Sequence, residues 1–502
     1  MKQNSASDMS NKKTPSSVGP QPARVQMTSQ LAENRRQMEG LFQNDGTFRV
    51  RELEGIDGCR AVLYFIDGMI KSRTLNEDII PPLQLAPLGG SSPDMVIRCV
   101  LSACDCQTEA SFETLAFLLS LGNTLLFIDQ MEQAIVIDTK NWTVRAVEEP
   151  DNERVLQGPR EGFNESLLTN LSLVRRRLTG SDFKAEFHIL GDTFKNVASI
   201  CYLESCVDRQ VLNLARRRLK GVRATAVLDS NYIAEQIHDS DSSPFRTIGS
   251  TERPDIVAAK LLEGRIAIFC EGSPSAITAP FLFLELFQSN EDYYVSHHYA
   301  SFQRILRITG FFVSVLIPAF FVALACYQPN LLPSALAITI AKARQTVPFS
   351  TLNEAVLLLV IFDLLRESGA RSPSNVGQAL AVVSSIVLGQ AAIEAGYIGA
   401  PILIITAFSC VTGVMLPRLI GASLLYRYAI LLLTATSGYL GFVVGFYLLL
   451  LQMCSIESFG IPYTQFLYPS SQIQTGDVFL RDSWRKLRAF PIFSAKKRRS
   501  RS

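Results

Sequence analysis

The sequence predicts an α/β soluble N-terminal region of two subdomains followed by an α-helical polytopic membrane domain. Two observations carry this class. The last two hundred residues hold several long apolar runs, and the roughly three hundred before them alternate short β-rich runs with helical patterns. Ile308 to Tyr327, Val376 to Ile393, Ile398 to Pro417 and Tyr428 to Met453 are free of Asp, Glu, Lys and Arg, against the roughly 20 residues a helix needs to cross about 30 Å of hydrocarbon. Averaged over the whole chain, 48% hydrophobic and 19% charged residues with a net charge of +2 conceal the division.

The chain divides in order. Residues 1–45, rich in Ser, Gln, Asn and Lys, are expected to be a disordered polar tail without a secretory signal. Residues 46–150 form the first subdomain, where Ala61 to Ile66, Met95 to Val100, Leu125 to Ile128 and Ala134 to Ile137 read as strands and Ser111 to Leu121 as a helix. Residues 151–303 form the second. There the pattern predicts helix Glu165 to Leu178, strands Ala185 to Leu190 and Val197 to Leu203, helix Arg209 to Leu219, strand Ala224 to Leu228, helix Pro254 to Leu262 and strand Arg265 to Cys270.

Residues 304–455 are the expected membrane domain and 456–502 a basic cytoplasmic tail. Arg304 and Arg307 precede the first apolar run, and Arg481, Arg485, Lys486 and Arg488 lead the cations that follow the last. Both ends are therefore expected on the cytoplasmic side, which an even number of crossings satisfies. The tail also suits an anionic inner leaflet. Between the first two runs, residues 331–342 and 352–368 read as short helices punctuated by Pro329, Pro333 and Pro348, suited to a bent or re-entrant pair or to an interfacial layer. Thr351 and Glu354 have capping-box spacing, and Gly369 is the expected stop.

Ionisable groups inside a membrane are costly and face water or a partner. Glu354, Asp363, Arg366, Glu367 and Glu394 are thus the candidate pore or gating residues, with an Asp363–Arg366 ion pair as the plain alternative. Gly377, Ala381, Ser385 and Gly389 recur every four residues, and Gly441 and Gly445 repeat that spacing. Such faces let backbones approach closely and mark helix packing within or between subunits.

No enzyme signature is present: GxxxxGK[ST], GxGxxG at a strand-to-helix turn, HExxH and GxSxG are all missing. No cofactor is expected. Cys99, Cys104, Cys106, Cys201 and Cys206 lack the matched pairs and nearby histidines of a zinc site, so no metal site is assigned. His297 and His298, beside Tyr293, Tyr294 and Tyr299, fit a headgroup-level anchor. Arg175 to Arg177 and Arg216 to Arg218 fall near predicted helix C-termini, where cations are favoured, and no aromatic stacking platform accompanies them. No nucleic-acid partner is expected.

Several separated segments carry a family likeness: Leu63 to Met69, Gly158 to Phe163 leading to Asn170, Leu171 and Arg175 to Arg177, Glu271 to Pro274, Phe287 to Tyr294, Leu365 to Gly369, Gly389 to Ala392 and Phe459 to Tyr463. From about Phe48 onward the chain resembles the A subunit of the GerA-type germinant receptors of bacterial endospores. Ser372, Gly396, Tyr397 and Glu271 depart from the residues expected in those motifs. The resemblance implies a subunit of a nutrient receptor in the spore inner membrane, working with a transporter-like B subunit and a C-subunit lipoprotein. It implies a homo-oligomer that conducts monovalent cations when germinant is sensed. A SpoVAF-like accessory ion-release protein shares the architecture. A membrane-anchored ligand-binding or signalling module without conduction is the alternative from another class.

Overall fold

The computed structural model describes residues 25–101, 105–141, 153, 157–239, 243–371, 387, 389–465 and 479–483. The chain forms two compact units, residues 1–142 with 179–181, and 143–178 with 182–502.

The first unit is a five-stranded antiparallel sheet with helices on both faces. Strands β1 (Phe48–Glu54), β2 (Arg60–Ile66), β3 (Cys106–Glu109), β4 (Thr124–Ile128) and β5 (Ala134–Ile137) lie in the order β1-β2-β4-β5-β3. Alternate residues of β2 feed different cores. Val62, Tyr64 and Ile66 pack with α1 (Leu31–Leu41) and α4 (Phe112–Ser120), whereas Ala61 and Leu63 pack with Leu83 of α2 (Ile80–Leu85) and Val96 of α3 (Pro93–Cys99). Burial on both faces explains the unbroken apolar runs.

Two expectations fail in this unit. Residues 25–45 of the expected tail are ordered: Met27, Met38 and Phe42 are buried, and the Met27 amide donates to the Ala110 carbonyl at 2.9 Å. These and Leu31, four apolar anchors spaced along a polar stretch, stabilise α1 without lifting its mean hydropathy. Met95 to Val100, expected as a strand, lies mostly in α3. Ser92 caps it by accepting from the Met95 amide at 3.3 Å, and Pro93 stands in its first turn.

The second unit opens with the same strand order. Strands β6 (Phe183–Leu190), β7 (Asn196–Leu203), β8 (Gly249–Thr251), β9 (Ile266–Cys270) and β10 (Ala276–Ala279) run β6-β7-β9-β10-β8, again all antiparallel. Helices α6 (Arg209–Lys220) and α7 (Ser230–Ile237) cover one face, α5 (Leu167–Arg175) and α8 (Pro254–Leu262) the other. Both sheets thus share one topology. Ala224 to Leu228 is not a strand: only Ala226 makes an isolated bridge, to Phe194. Its few apolar residues are too short a run to join the sheet.

The helical part follows as α9 (His297–Val322), α10 (Ser334–Arg344), α11 (Thr351–Arg371), α12 (Ala400–Val414) and α13 (Ile420–Ser455). Stretches His297–Tyr327 and Pro417–Ser455 are long and apolar enough to cross a membrane, and α12 is apolar but shorter. Pro401 in its first turn and Pro417 beyond its end bound α12, so the expected run from Ile398 to Pro417 yields 15 helical residues.

The run Tyr428 to Met453 is not one straight helix. Gly438 sits at φ 61°, ψ −139°, and the chain folds back there. A Cβ on Gly445 would lie 3.1 Å from Ile430, and one on Gly441 would meet the Leu433 carbonyl. Residues fifteen apart would be about 22 Å apart in a straight helix, so α13 is a hairpin of two antiparallel arms, 420–437 and 439–455. The turn carries no charged residue, which hid it from the sequence pattern.

Tyr327, at the far end of the α9 segment, donates to the Ala435 carbonyl at the hairpin tip. Helix α12 runs antiparallel to α9, with Ser409 Oγ donating to the Ser314 carbonyl at 2.7 Å and Gly413 against Ser314 Oγ. The open ends of the hairpin return to the second sheet. Arg418 Nη2 meets Glu153 Oε1 at 2.6 Å, and Glu153 Oε2 accepts from Thr251 Oγ1 at 2.6 Å. Past the hairpin, Ser458 Oγ accepts from the Phe281 amide at 3.0 Å and donates to the Thr247 carbonyl at 2.6 Å. Phe245, Phe281, Phe283 and Phe287 of the α/β part share one core with Phe311, Val315, Ile430 and Tyr463.

Candidate functional site

Asp363, two-thirds of the way along α11, is the centre of the polar cluster inside the bundle. Its oxygens accept from Arg427 Nη2 at 2.9 and 2.7 Å, and the Tyr428 hydroxyl donates to Oδ2 at 2.9 Å. Arg366 Nη2 lies 3.1 Å from Oδ1. Arg427 is buried, and its Nη1 also reaches Cys410 Sγ at 3.7 Å. The cluster therefore ties α11 to the outgoing arm of α13 and touches α12. A carboxylate whose two oxygens share one Arg427 nitrogen, with a second cation and a phenol beside it, is well partnered, which suits a lock between helices.

The sequence identified Asp363 and Arg366 but missed Arg427 and Tyr428. The available signal was a single arginine between Tyr426 and Tyr428 at the edge of an apolar run, an expensive placement unless paired.

Glu354 is buried at the other end of α11, where Oε2 accepts the Gly399 amide at 2.9 Å. It does not close the expected capping box. Ser350, one residue earlier, caps the helix by accepting from the Asn353 amide at 3.3 Å, because Glu354 is already committed to Gly399. The helix also runs past Gly369 to Arg371, since an interior glycine costs only about 1 kcal/mol. Glu367 and Glu394 are exposed, Glu394 accepting from Gln390 at 3.0 Å. The structure does not bring these two into the Asp363 cluster.

Of the small-residue stripe, Gly377, Ala381 and Ser385 lie outside the described residues, as does most of the expected span 376–393. A Cβ on Gly389 would sit 3.2 Å from Leu403 of the same chain. With Gly441 and Gly445 facing the outgoing arm of α13, all three described glycines serve packing inside the subunit.

A second constellation lies at the junction of the second sheet with α9. Asp292 is fully buried: Arg304 Nε is 3.0 Å from its Oδ2, and Arg307 Nη1 is 3.0 Å from its Oδ1. The Arg304 and Arg481 guanidinium groups each lie 5.6 Å from the Tyr293 ring. Asp255, in the first turn of α8, accepts from Arg253 Nη2 at 3.0 Å, Asn290 Nδ2 at 2.6 Å and the Tyr294 hydroxyl at 2.9 Å. Burial opposes ionisation of Asp255, yet the Arg253 and Asn290 donors hold its carboxyl below the ordinary value. Burial and the neighbouring Asp255 push the Tyr294 phenol up to about 12. Gly158, at φ 127°, packs so closely on the Tyr294 ring that a Cβ would be 2.8 Å away.

Behind this junction lies a buried network. Glu285 pairs with Arg265 and Lys260 and caps the Leu282 amide at 2.7 Å, while Arg265 Nε meets Glu263 at 2.8 Å. Burial would raise the Glu285 carboxyl, but the Arg265 and Lys260 charges hold it below its usual range. The segment after the hairpin docks here too. The Tyr463 hydroxyl donates to the Arg246 carbonyl at 2.9 Å, the Phe459 amide to Asp239 at 2.8 Å, and Arg218 lies 4.6 Å from the Phe459 ring.

The arginine triplets find partners nearby: Arg177 with Glu161 at 2.7 Å, Arg216 with Glu186 and Arg218 with Asp239 at 2.6 Å. Among the flagged cysteines Cys99 and Cys106 belong to the first unit and Cys201 and Cys206 to the second, and Cys104 lies outside the described residues. His297 and His298 begin α9, their rings 3.9 Å apart.

Comparison with known proteins extends the resemblance. The model of the family described as Bacillus/Clostridium GerA spore germination protein matches residues 36–492. The uncharacterized membrane protein YfkQ of Bacillus subtilis (strain 168) is 33% identical over 90% of this chain and 89% of its own. Spore germination protein KA of the same organism is 32% identical over 92% of this chain and 86% of its own. Spore germination protein GerLA of Bacillus cereus is 31% identical over 87% of this chain and 90% of its own. The crystal structure of the N-terminal domain of the A subunit of the Bacillus megaterium spore germinant receptor GerK3 aligns at 25% identity and TM-score 0.42, covering 52% of this chain and 99% of that one. The chain belongs to the GerA family of spore germination proteins.

Proposed function

We propose that this chain is the membrane subunit of a nutrient germinant receptor that triggers spore germination, acting as a homo-oligomer that conducts monovalent cations. One observation carries the reading. Helix α11 fixes one side to the bundle through Asp363 and leaves a stripe uncovered, with Val356, Leu357, Val360 and Leu364 exposed by 38, 43, 40 and 65%. Glu367 continues it at the helix end. An apolar stripe ending in a carboxylate suits a helix that faces its copies across a narrow pore.

On this reading the chain resides in the spore inner membrane as a multi-pass protein. Its α/β units and C-terminal tail lie on the core side, because both ends of the helical part sit beside the second sheet. A transporter-like B subunit holds the germinant and a lipoprotein C subunit completes the complex. Spores lacking the chain, then complemented with it, test this: loss and recovery of the response to one nutrient are expected, and an unchanged response across nutrients counts against it.

A second reading is a SpoVAF-like accessory role in ion release. Its support is that a relative as similar as YfkQ is named only as a membrane protein. It predicts that deletion slows ion release for every nutrient equally.

A further inference from the structure

We propose that residues 479–483 form a strap that pins the junction between the second α/β sheet and α9, and that this pin sets how readily the junction moves. Arg481 is 3% exposed, although Phe479 and Leu480 beside it are exposed. Within residues 479–483 Arg481 alone is buried. Arg481 Nη1 donates to the Asp292 and Val295 carbonyls at 2.7 and 2.8 Å, and Nη2 to the Tyr293 carbonyl at 3.4 Å. The Arg481 amide donates to Ser301 Oγ at 2.9 Å on the second turn of α9.

The chemistry of the acceptors sets the character of the pin. Arg304 and Arg307 hold the Asp292 carboxylate, so the fold of the junction rests on ion pairs that do not involve the strap. Arg481 meets the carbonyls of 292, 293 and 295 at the end of the one-turn helix Asn290–Tyr293. Such contacts hold the junction in one orientation. Residues 280–296 are the covalent route from the sheet to α9. A motion passing from the α/β unit to the first membrane helix by that route must move the carbonyls Arg481 holds. The strap's effect on triggering rests on the receptor reading above; its effect on the junction does not.

Hydrogen exchange on the full chain in detergent, comparing Arg481→Ala with the parent, tests the pin. Exchange in residues 289–303 should rise about tenfold or more, as expected from losing charge-assisted bonds, while β7 and β9 stay as protected as before. Unchanged exchange at 289–303, or an equal rise in β7 and β9, overturns the proposal. Ser301→Ala removes the backbone anchor of the strap together with the Ser301 Oγ bond to the His297 carbonyl and should raise exchange at 289–303 about fivefold; no rise there also overturns it. In spores, Arg481→Ala should lower the germinant concentration needed for response. A local rise in exchange with an unchanged threshold overturns the triggering role alone, and spores indifferent to loss of the whole chain sink the receptor reading instead.

Discussion

Arg427 Nη2 lies 2.7 Å from Asp363 Oδ2 and 2.9 Å from Oδ1, joining α11 to the outgoing arm of α13 inside the helical bundle. Read from sequence, Asp363 is a gating carboxylate or the partner of Arg366. In the fold Arg366 is its second cation and Arg427 its deeper one. Removing Asp363 leaves a buried arginine without its carboxylate, a loss of about 3–5 kcal/mol. Asp363→Ala should therefore reduce chain abundance in membranes severalfold, and Asp363→Leu with Arg427→Met should recover much of it. Normal abundance of the single variant, measured by quantitative immunoblot, would remove the lock.

Gly438 carries the hairpin turn at a backbone conformation open essentially to glycine alone, and a Cβ there would also sit 2.8 Å from the Tyr327 ring. Gly438→Ala should cost about 1–3 kcal/mol and lower the melting temperature in detergent. Gly421→Ala, with nothing within 4 Å of its Cβ, is the matched control and should be neutral or slightly stabilising. Equal effects from the two would argue for a continuous helix.

The Tyr463 hydroxyl holds the Arg246 carbonyl, anchoring the segment after the hairpin to the sheet. Tyr463→Phe keeps the ring and loses one buried bond, about 1 kcal/mol. Faster proteolysis after residue 455, with the α/β units intact, is the expected result. A cleavage rate equal to the parent's would show that the aromatic packing alone holds the segment.

Glu285 links acidity to stability. Its native carboxyl is held below the unfolded value by Arg265 and Lys260, against the opposing effect of burial. The stabilisation is therefore complete above the unfolded carboxylate range near pH 4–5, and is lost as pH falls through the lowered native value. Thermal melts of the full chain should decline steeply on that acid limb. Glu285→Gln should be less stable at neutral pH and show a shallower decline; parallel acid limbs would assign the effect elsewhere.

Much of the architecture is legible in the sequence because it rests on burial. Strands β2, β4, β5 and β9 are covered on both faces, so each reads as a largely apolar run, and β7 does so with Ser199 as an interruption. The edge strands β1 and β3 carry exposed polar residues and leave no such trace. The hairpin was hidden because hydropathy does not register a backbone turn. Thr434, Thr436, Ser437 and Gly438 in mid-run were the visible hint. Of the site, Asp363 and Arg366 stood out as charges among apolar residues, while Asp292 did not, since its partners follow twelve and fifteen residues later without a periodic relation. The family segments Phe287 to Tyr294, Gly158 to Phe163 and Phe459 to Tyr463 meet in the second unit, around the junction and the sheet it joins.

Monovalent-cation efflux from cells expressing the chain with its partner subunits tests the proposed function most directly. Addition of germinant should release potassium within minutes, and Leu364→Trp on the uncovered face of α11 should suppress the release at unchanged abundance. Efflux indifferent to both the chain and this substitution would contradict conduction and leave a membrane-anchored module.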